Sequence, residues 1–387
     1  MLNSFVYDIP TKVYFGKDQM NHLGPELRKF GTRVLLVYGG GSIKKTGLYD
    51  RVAEELRDAG LSCFELSGVD PNPRITSVAQ GANLCREHGI DVLLAVGGGS
   101  VIDCAKVIAA AANYDGDPWD IVTQKVPCPS CLPVVTILTI AATGSEMDPG
   151  CVISKPDTMD KIGVYTQAPR VSFLDPTHTF SVGRRQTACG SADILSHVME
   201  VYFSRDYSMD MIDGFMESMM RSVLKYAPVA LAEPENYEAR ANLMWAASWA
   251  INGFIEYGKI QRWACHPMEH ELSAVYDITH GLGLAILTPR WMEYALSEQT
   301  APRYKQFAVN VLGMDAGLDD MEAGRSVIEA LKLFFYDKLG LESTFTEIGI
   351  GDEHFAAMAE KACGGSVLNA FRPLARQDIE NIFRMCL

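Results

Sequence analysis

Positive charge is in short supply in this chain. Lys and Arg number 34 against 48 Asp and Glu, for a formal net charge of −14. A molecule this acidic repels phosphate backbones and anionic lipid surfaces, so no nucleic-acid or membrane partner is expected. Long apolar runs are also missing: no stretch reaches the roughly 20 residues that span a bilayer. Residues 1–8 lack the basic start and apolar run of a secretion signal, and a cytoplasmic protein is expected. The ten cysteines show no disulfide pattern; positions such as Cys104 and Cys265 fall in apparent core segments, which suits reduced thiols. Cys128-Pro-Ser-Cys131 has the spacing of half a structural zinc site, but no second pair follows, and loop thiols are expected there. Histidine is sparse, with 8 in 387 residues.

At this length two domains are expected. Apolar content of 48% with 21% charged residues is ordinary globular composition. The first half alternates in type. Short apolar runs at 33–38, 61–66, 91–96, 133–140 and 171–174 read as strands, and 46–59, 75–88 and 101–112 as helices. Continuous apolar strands alternating with helices predict a parallel sheet covered by helices on both faces. After residue 183 the texture changes to helical periodicity, at 191–203, 212–227, 237–253 and 326–339. The expected organisation is an α/β dinucleotide-binding domain over 1–183 and an all-helical domain over 184–387. A ligand cleft between them is expected.

Two glycine loops follow strands. Gly97-Gly98-Gly99-Ser100 opens a helix, where three glycines let the backbone approach a phosphate and the helix start adds its positive dipole end. Asp103 lies in that helix's first turn. Gly39-Gly40-Gly41-Ser42 runs into Ile43-Lys44-Lys45. NAD sites usually place a carboxylate here to grip the adenosine ribose. This loop has none and offers a hydroxyl and lysines instead, which predicts NADP(H) over NAD(H). The bland alternative is a pair of lysines solvating a surface helix. Thr136, Thr139 and Thr143-Gly-Ser-Glu146 are suited equally to cofactor bonds and to capping turns.

Four of the eight histidines fall in two segments. Asp193 and His197, four apart, share one helix face. His266 and His270 repeat that spacing, and His280 precedes Gly281. One carboxylate with imidazoles suits a divalent ion, Zn²⁺ or Fe²⁺, with an open position for water or substrate. There are five candidates for four positions, so one imidazole is spare. His270, beside Glu269, is the expected spare, placed to relay a proton. Singly, each histidine reads as readily as a core or surface residue, and Asp193 as a helix cap.

These residues resemble the iron-containing (type III) alcohol dehydrogenases, and among them the NADPH-dependent butanol dehydrogenases and aldehyde reductases. The resemblance begins at Tyr14-Phe15-Gly16-Lys17. It continues through Gly39 to Gly47, Gly97 to Asp103, Thr143-Gly-Ser-Glu146, Leu174-Asp-Pro176 and Asp193 with His197, and ends with His266 to His280. It implies a dehydroquinate synthase-like architecture, usually dimeric, and a small aldehyde or alcohol as substrate. It implies metal ligands at Asp193, His197, His266 and His280. Cofactor contacts are implied at Gly40, Gly41, Ser42, Lys44, Gly97, Gly98, Gly99, Ser100, Asp103, Thr139, Lys161 and Thr179. One departure is Ile140, where many relatives carry a threonine.

Three alternatives stand beside the reductase. A lyase of the dehydroquinate synthase type would need basic residues for a phosphorylated substrate. The segment 268–280 has none, although Lys259 and Arg262 shortly precede it. A polyol oxidoreductase of the glycerol dehydrogenase type is the second. A metal-binding protein without catalysis would leave both glycine loops unexplained. Trp263 and Phe254 are candidates to line an apolar substrate pocket.

Overall fold

The computed structural model describes residues 4–205, 209–259 and 263–387; Arg262 lies outside them. The chain forms two compact units. The first, residues 8–182 with 234–252, carries a six-stranded sheet. Its strands are β1 (Lys12–Phe15), β2 (Arg33–Tyr38), β3 (Ser62–Leu66), β4 (Val92–Gly97), β5 (Val134–Leu138) and β8 (Val171–Leu174). They lie in the order β1-β8-β5-β4-β2-β3, with every neighbouring pair parallel. A separate antiparallel hairpin consists of β6 (Gly150–Lys155) and β7 (Asp160–Tyr165).

Successive strand residues point to opposite faces, and both faces here are covered. Leu35, Val37, Leu93 and Ala95 join one apolar cluster with the helices Ile75–His88 and Gly99–Ala111. Val34, Leu36, Val92 and Leu94 join another with Val52 and Leu56 of the helix Leu48–Asp58. That double burial is why these strands read as unbroken apolar runs instead of alternating ones. The strand β1, half exposed and only four residues long, and the hairpin escaped the sequence reading for the opposite reason: neither presents such a run.

The second unit comprises residues 1–7, 183–233 and 253–387 and is helical. Among the described residues no helix is long and apolar enough to cross a membrane. The division differs from a single cut between 183 and 184 at residues 1–7, which fall with the helical unit, and at residues 234–252. The helix Tyr237–Ala250 belongs to the α/β unit. Two contacts hold it there. Ser248 Oγ donates to the buried Glu146 carboxyl at 2.5 Å, and Gly144, at φ 70°, leaves no room for a side chain beneath the Ala247 carbonyl. The Thr143-Gly-Ser-Glu146 turn is therefore a tether for this helix. Thr136 is likewise structural, donating to Ser172 Oγ at 2.8 Å inside the sheet.

One buried charge organises the same turn. The Lys106 side chain is fully buried, and its ammonium donates to the carbonyls of Ser145, Asp148 and Gly150, with Asp103 Oδ1 3.6 Å away. A buried ammonium persists only with such compensation. Lys106→Met should lower unfolding free energy by about 3 kcal/mol, because three carbonyls lose their donor at once; denaturant titration of the two proteins measures the difference.

Candidate metal centre and cofactor loops

The helix Arg184–Tyr202 carries Asp193, His197 and Glu200 on one buried face. The helix Cys265–Tyr276 carries His266, Glu269 and His270, and the helix His280–Ala295 begins at His280 itself. Glycine explains how the last of these comes close enough. A Cβ on Gly281 would lie 2.0 Å from the Cys189 carbonyl oxygen, so only glycine lets this helix rest on Arg184–Tyr202. The sequence pair His280-Gly281 is thus a ligand candidate together with the residue that seats it.

Asp193, His266 and His280 can bring three donor atoms within 4.8 Å of one another. Asp193 Oδ1 lies 3.7 Å from His280 Nε2 and 4.0 Å from His266 Nε2. His197 stands alongside, with Nδ1 3.3 Å from the same oxygen and its ring 4.4 Å from that of His266. The structure brings all four sequence candidates together. His270 is set further out, its ring 5.7 Å from His280 and 6.4 Å from His266. Trp263 packs edge-on against His266 and His197, whereas Phe254 has Tyr7 and Phe215 as ring neighbours.

Two carboxylates that sequence reasoning passed over complete the arrangement. Glu200 bonds His266 Nδ1 and accepts from the backbone N–H groups of Ala264 and Cys265 at 2.5 and 2.8 Å. Glu269 bonds His280 Nδ1 and accepts from Ser273 Oγ. A carboxylate can only accept, so each Nδ1 carries a proton, and in the neutral ring each Nε2 keeps a lone pair facing Asp193. The signal was available: Glu200 follows His197 by three residues and Glu269 follows His266 by three, each on the ligand face.

The two buried imidazoles differ in their electrostatics. Burial pushes the His197 imidazole well below its usual range, and repulsion from His266 and His280 adds to this, so His197 is neutral. Burial works against protonation of His266 as well, but the Glu200 carboxylate outweighs it and raises that group. Among the described residues, His197 Nδ1 and His266 Nε2 are buried without a hydrogen-bond partner. Orphaned buried lone pairs around a carboxylate fit a divalent cation.

The α/β unit gathers the other candidates at one end of its sheet. Gly40, Gly41 and Ser42 follow β2, and Gly97 to Ser100 close β4 and open the helix Gly99–Ala111. Thr139 follows β5, its N–H bonding the Gly97 carbonyl at 3.0 Å, and Thr179 ends the turn after β8. These four strands are neighbours in the parallel sheet, so their carboxyl ends form one edge, the usual dinucleotide position. No side chain caps the helix opened by Gly98, which leaves its first N–H groups for an anion. Ile140 lies against Gly98, within 2.3 Å of where a Cβ would sit.

Other candidates have protein partners. Asp103 accepts from Ser145 Oγ and from the Val152 N–H, tying its helix to the hairpin, and Ser100 Oγ donates to the Pro71 carbonyl. Lys161 is buried on β7. The Lys44 ammonium lies over the rings of Tyr38 and Tyr49, and its pKa is raised by bonding to Tyr38. The nearby Glu65 is engaged on both oxygens by the hydroxyls of Tyr38 and Tyr49.

The comparisons agree along the whole chain. Residues 10–176 match the model described as iron-containing alcohol dehydrogenase, and 187–387 the C-terminal part of the Fe-containing alcohol dehydrogenase family. The chain is 49% identical to NADH-dependent butanol dehydrogenase A of Clostridium acetobutylicum, covering 98% of this chain and 99% of that one. It is 38% identical to the NADPH-dependent aldehyde reductase YqhD of Escherichia coli, covering 93% of each. The crystal structure of NADH-dependent butanol dehydrogenase A from Thermotoga maritima superposes with a TM-score of 0.94 at 36% identity, covering 100% of this chain and 99% of that one.

Glu269→Ala should weaken divalent-metal affinity by about 10–100-fold, since His280 loses the partner that fixes its orientation. Metal content after equilibrium dialysis reads this directly, and an unchanged affinity would show that Glu269 serves packing alone.

Proposed function

The chain belongs to the iron-containing alcohol dehydrogenase family, and on that premise we propose that it reduces short- to medium-chain aldehydes to primary alcohols with NADPH. That it is an alcohol- or aldehyde-directed oxidoreductase follows from the family. The single observation that carries the metal-dependent reading is the Asp193 carboxylate meeting three imidazoles, two of them oriented by buried carboxylates.

The reaction joins aldehyde, NADPH and a proton to give alcohol and NADP⁺. A divalent ion, Fe²⁺ or Zn²⁺, held by Asp193, His197, His266 and His280 supplies Lewis acidity toward the substrate oxygen, while NADPH supplies the hydride. The residues do the rest. Asp193 contributes one negative charge among neutral imidazoles, so a dication there keeps a formal charge of about +1 by simple counting. Glu200 and Glu269 hold the rings of His266 and His280 in one tautomer and orientation. His270, its ring 5.7 Å from that of His280, is the residue that passes a proton to the alcohol oxygen. Trp263 excludes water on the side it covers. The enzyme would work in the cytoplasm as a homodimer, in keeping with the family resemblance.

Named relatives divide between the two nicotinamide cofactors, so the NADPH preference rests on the loop after β2. That loop has no acid; Ser42 and Lys45 are exposed there, and Glu65, which acts on Lys44, is engaged by two tyrosines. A Cβ on Gly40 would meet nothing within 4 Å, so Gly40→Asp tests the loop without a steric penalty. Its expected effect is a rise of at least ~10-fold in the NADH-to-NADPH ratio of kcat/KM, the ordinary size of a lost or repelled charge contact. A ratio that does not move would contradict the 2′-phosphate assignment.

The two histidine roles separate by metal content. His266→Ala should abolish turnover along with bound metal. His270→Ala should slow turnover by about 10²-fold with metal retained, as expected for loss of a proton relay. Equal metal loss in both variants would make His270 a ligand.

A further inference from the structure

Outside the hydride-transfer machinery, the loop leading into β5 holds an unexplained pair of thiols. Cys128 is exposed, Cys131 is half-buried, and their sulfurs lie 3.8 Å apart. The loop that carries them is pinned at several points. Asn113 Nδ2 donates to the Ser130 carbonyl at 2.7 Å, the Leu132 N–H donates to Ala109 at 3.0 Å, and Gln167 bonds the Leu132 carbonyl. Both thiols also face the Pro129 carbonyl, at 3.5 and 3.4 Å. The sulfurs are therefore held as neighbours by the surrounding chain and have to close only to roughly 2 Å to bond. They sit at the amino end of β5, whereas the glycine loops and Thr139 lie at the carboxyl ends of the strands.

We propose that Cys128 and Cys131 form a second, independent redox site, a dithiol that exchanges with low-molecular-weight disulfides such as glutathione disulfide. The Cys128 thiolate attacks one sulfur of the small disulfide, forming a mixed disulfide and releasing one thiolate. Cys131 then gives its proton to solvent and attacks Cys128 Sγ, closing the intraloop disulfide and releasing the second thiolate. Two electrons pass from the cysteine pair to the small disulfide, which leaves as two thiols. Exposure makes Cys128 the entering nucleophile. Burial, with the neighbouring Cys128, pushes the Cys131 thiol up to about 12, so it stays protonated and leaves the first attack to Cys128.

The test incubates the metal-loaded full chain with glutathione disulfide across a range of glutathione ratios and reads intact mass and peptide maps. The expected product is one peptide containing Cys128 and Cys131, lighter by two hydrogens and restored by dithiothreitol. The Cys131→Ser variant should accumulate a stable glutathione adduct on Cys128 instead. The exposed Cys63 is the internal control. Separate adducts on Cys128 and Cys131, or oxidation of Cys63 while both stay reduced, would overturn the proposal.

Discussion

The centre of the helical unit depends on a carboxylate bonded behind each of two imidazoles. Glu200 and Glu269 are fully buried, and a buried carboxylate is costly unless its lone pairs are taken up. Here they are taken up by His266 Nδ1 with the backbone N–H groups of Ala264, Cys265 and His266, and by His280 Nδ1 with the Ser273 hydroxyl. The same bonds that relieve the desolvation penalty dictate the tautomers, and the tautomers dictate which nitrogens face Asp193. Glu200 does a further task by accepting from the first N–H groups of the helix Cys265–Tyr276, so the helix start and the ligand orientation are set by one group. Gly281 then decides whether His280 arrives at all.

The α/β unit follows a different logic. Its sheet is buried on both faces, which leaves only the strand ends for function, and four adjacent parallel strands deliver their candidate loops to one edge. Several groups that a family pattern would assign to the cofactor also hold the protein together. Asp103 ties its helix to the hairpin, and Glu146 tethers the helix Tyr237–Ala250. A residue can recur in a motif because it positions the loop beneath the ligand as well as because it touches the ligand.

Much of this was legible in the residues. The helix Ile75–His88 and the strand Val171–Leu174 have the predicted bounds, and Gly89, at φ 57°, marks where the helix stops. The helix Arg184–Tyr202 begins seven residues before the expected 191, since its first turns, Arg184-Arg-Gln-Thr, carry no apolar stripe. The strand β1 and the hairpin β6–β7 were hidden by short, half-exposed segments. Placement of Tyr237–Ala250 with the α/β unit was not legible at all, because it is decided by a contact 102 residues distant in sequence. The ligand candidates stood out because histidine is rare here; Glu200 and Glu269 did not, since glutamate is common, and their mark in the sequence is only a three-residue spacing from His197 and His266.

The most direct test of the account is the rate of NADPH oxidation with butanal by enzyme stripped with a chelator, then supplied separately with Fe²⁺ and Zn²⁺. The account predicts that stripping removes activity and that one of the two ions restores it. Full activity in protein shown to be metal-free, or none with either ion at full occupancy, would contradict it.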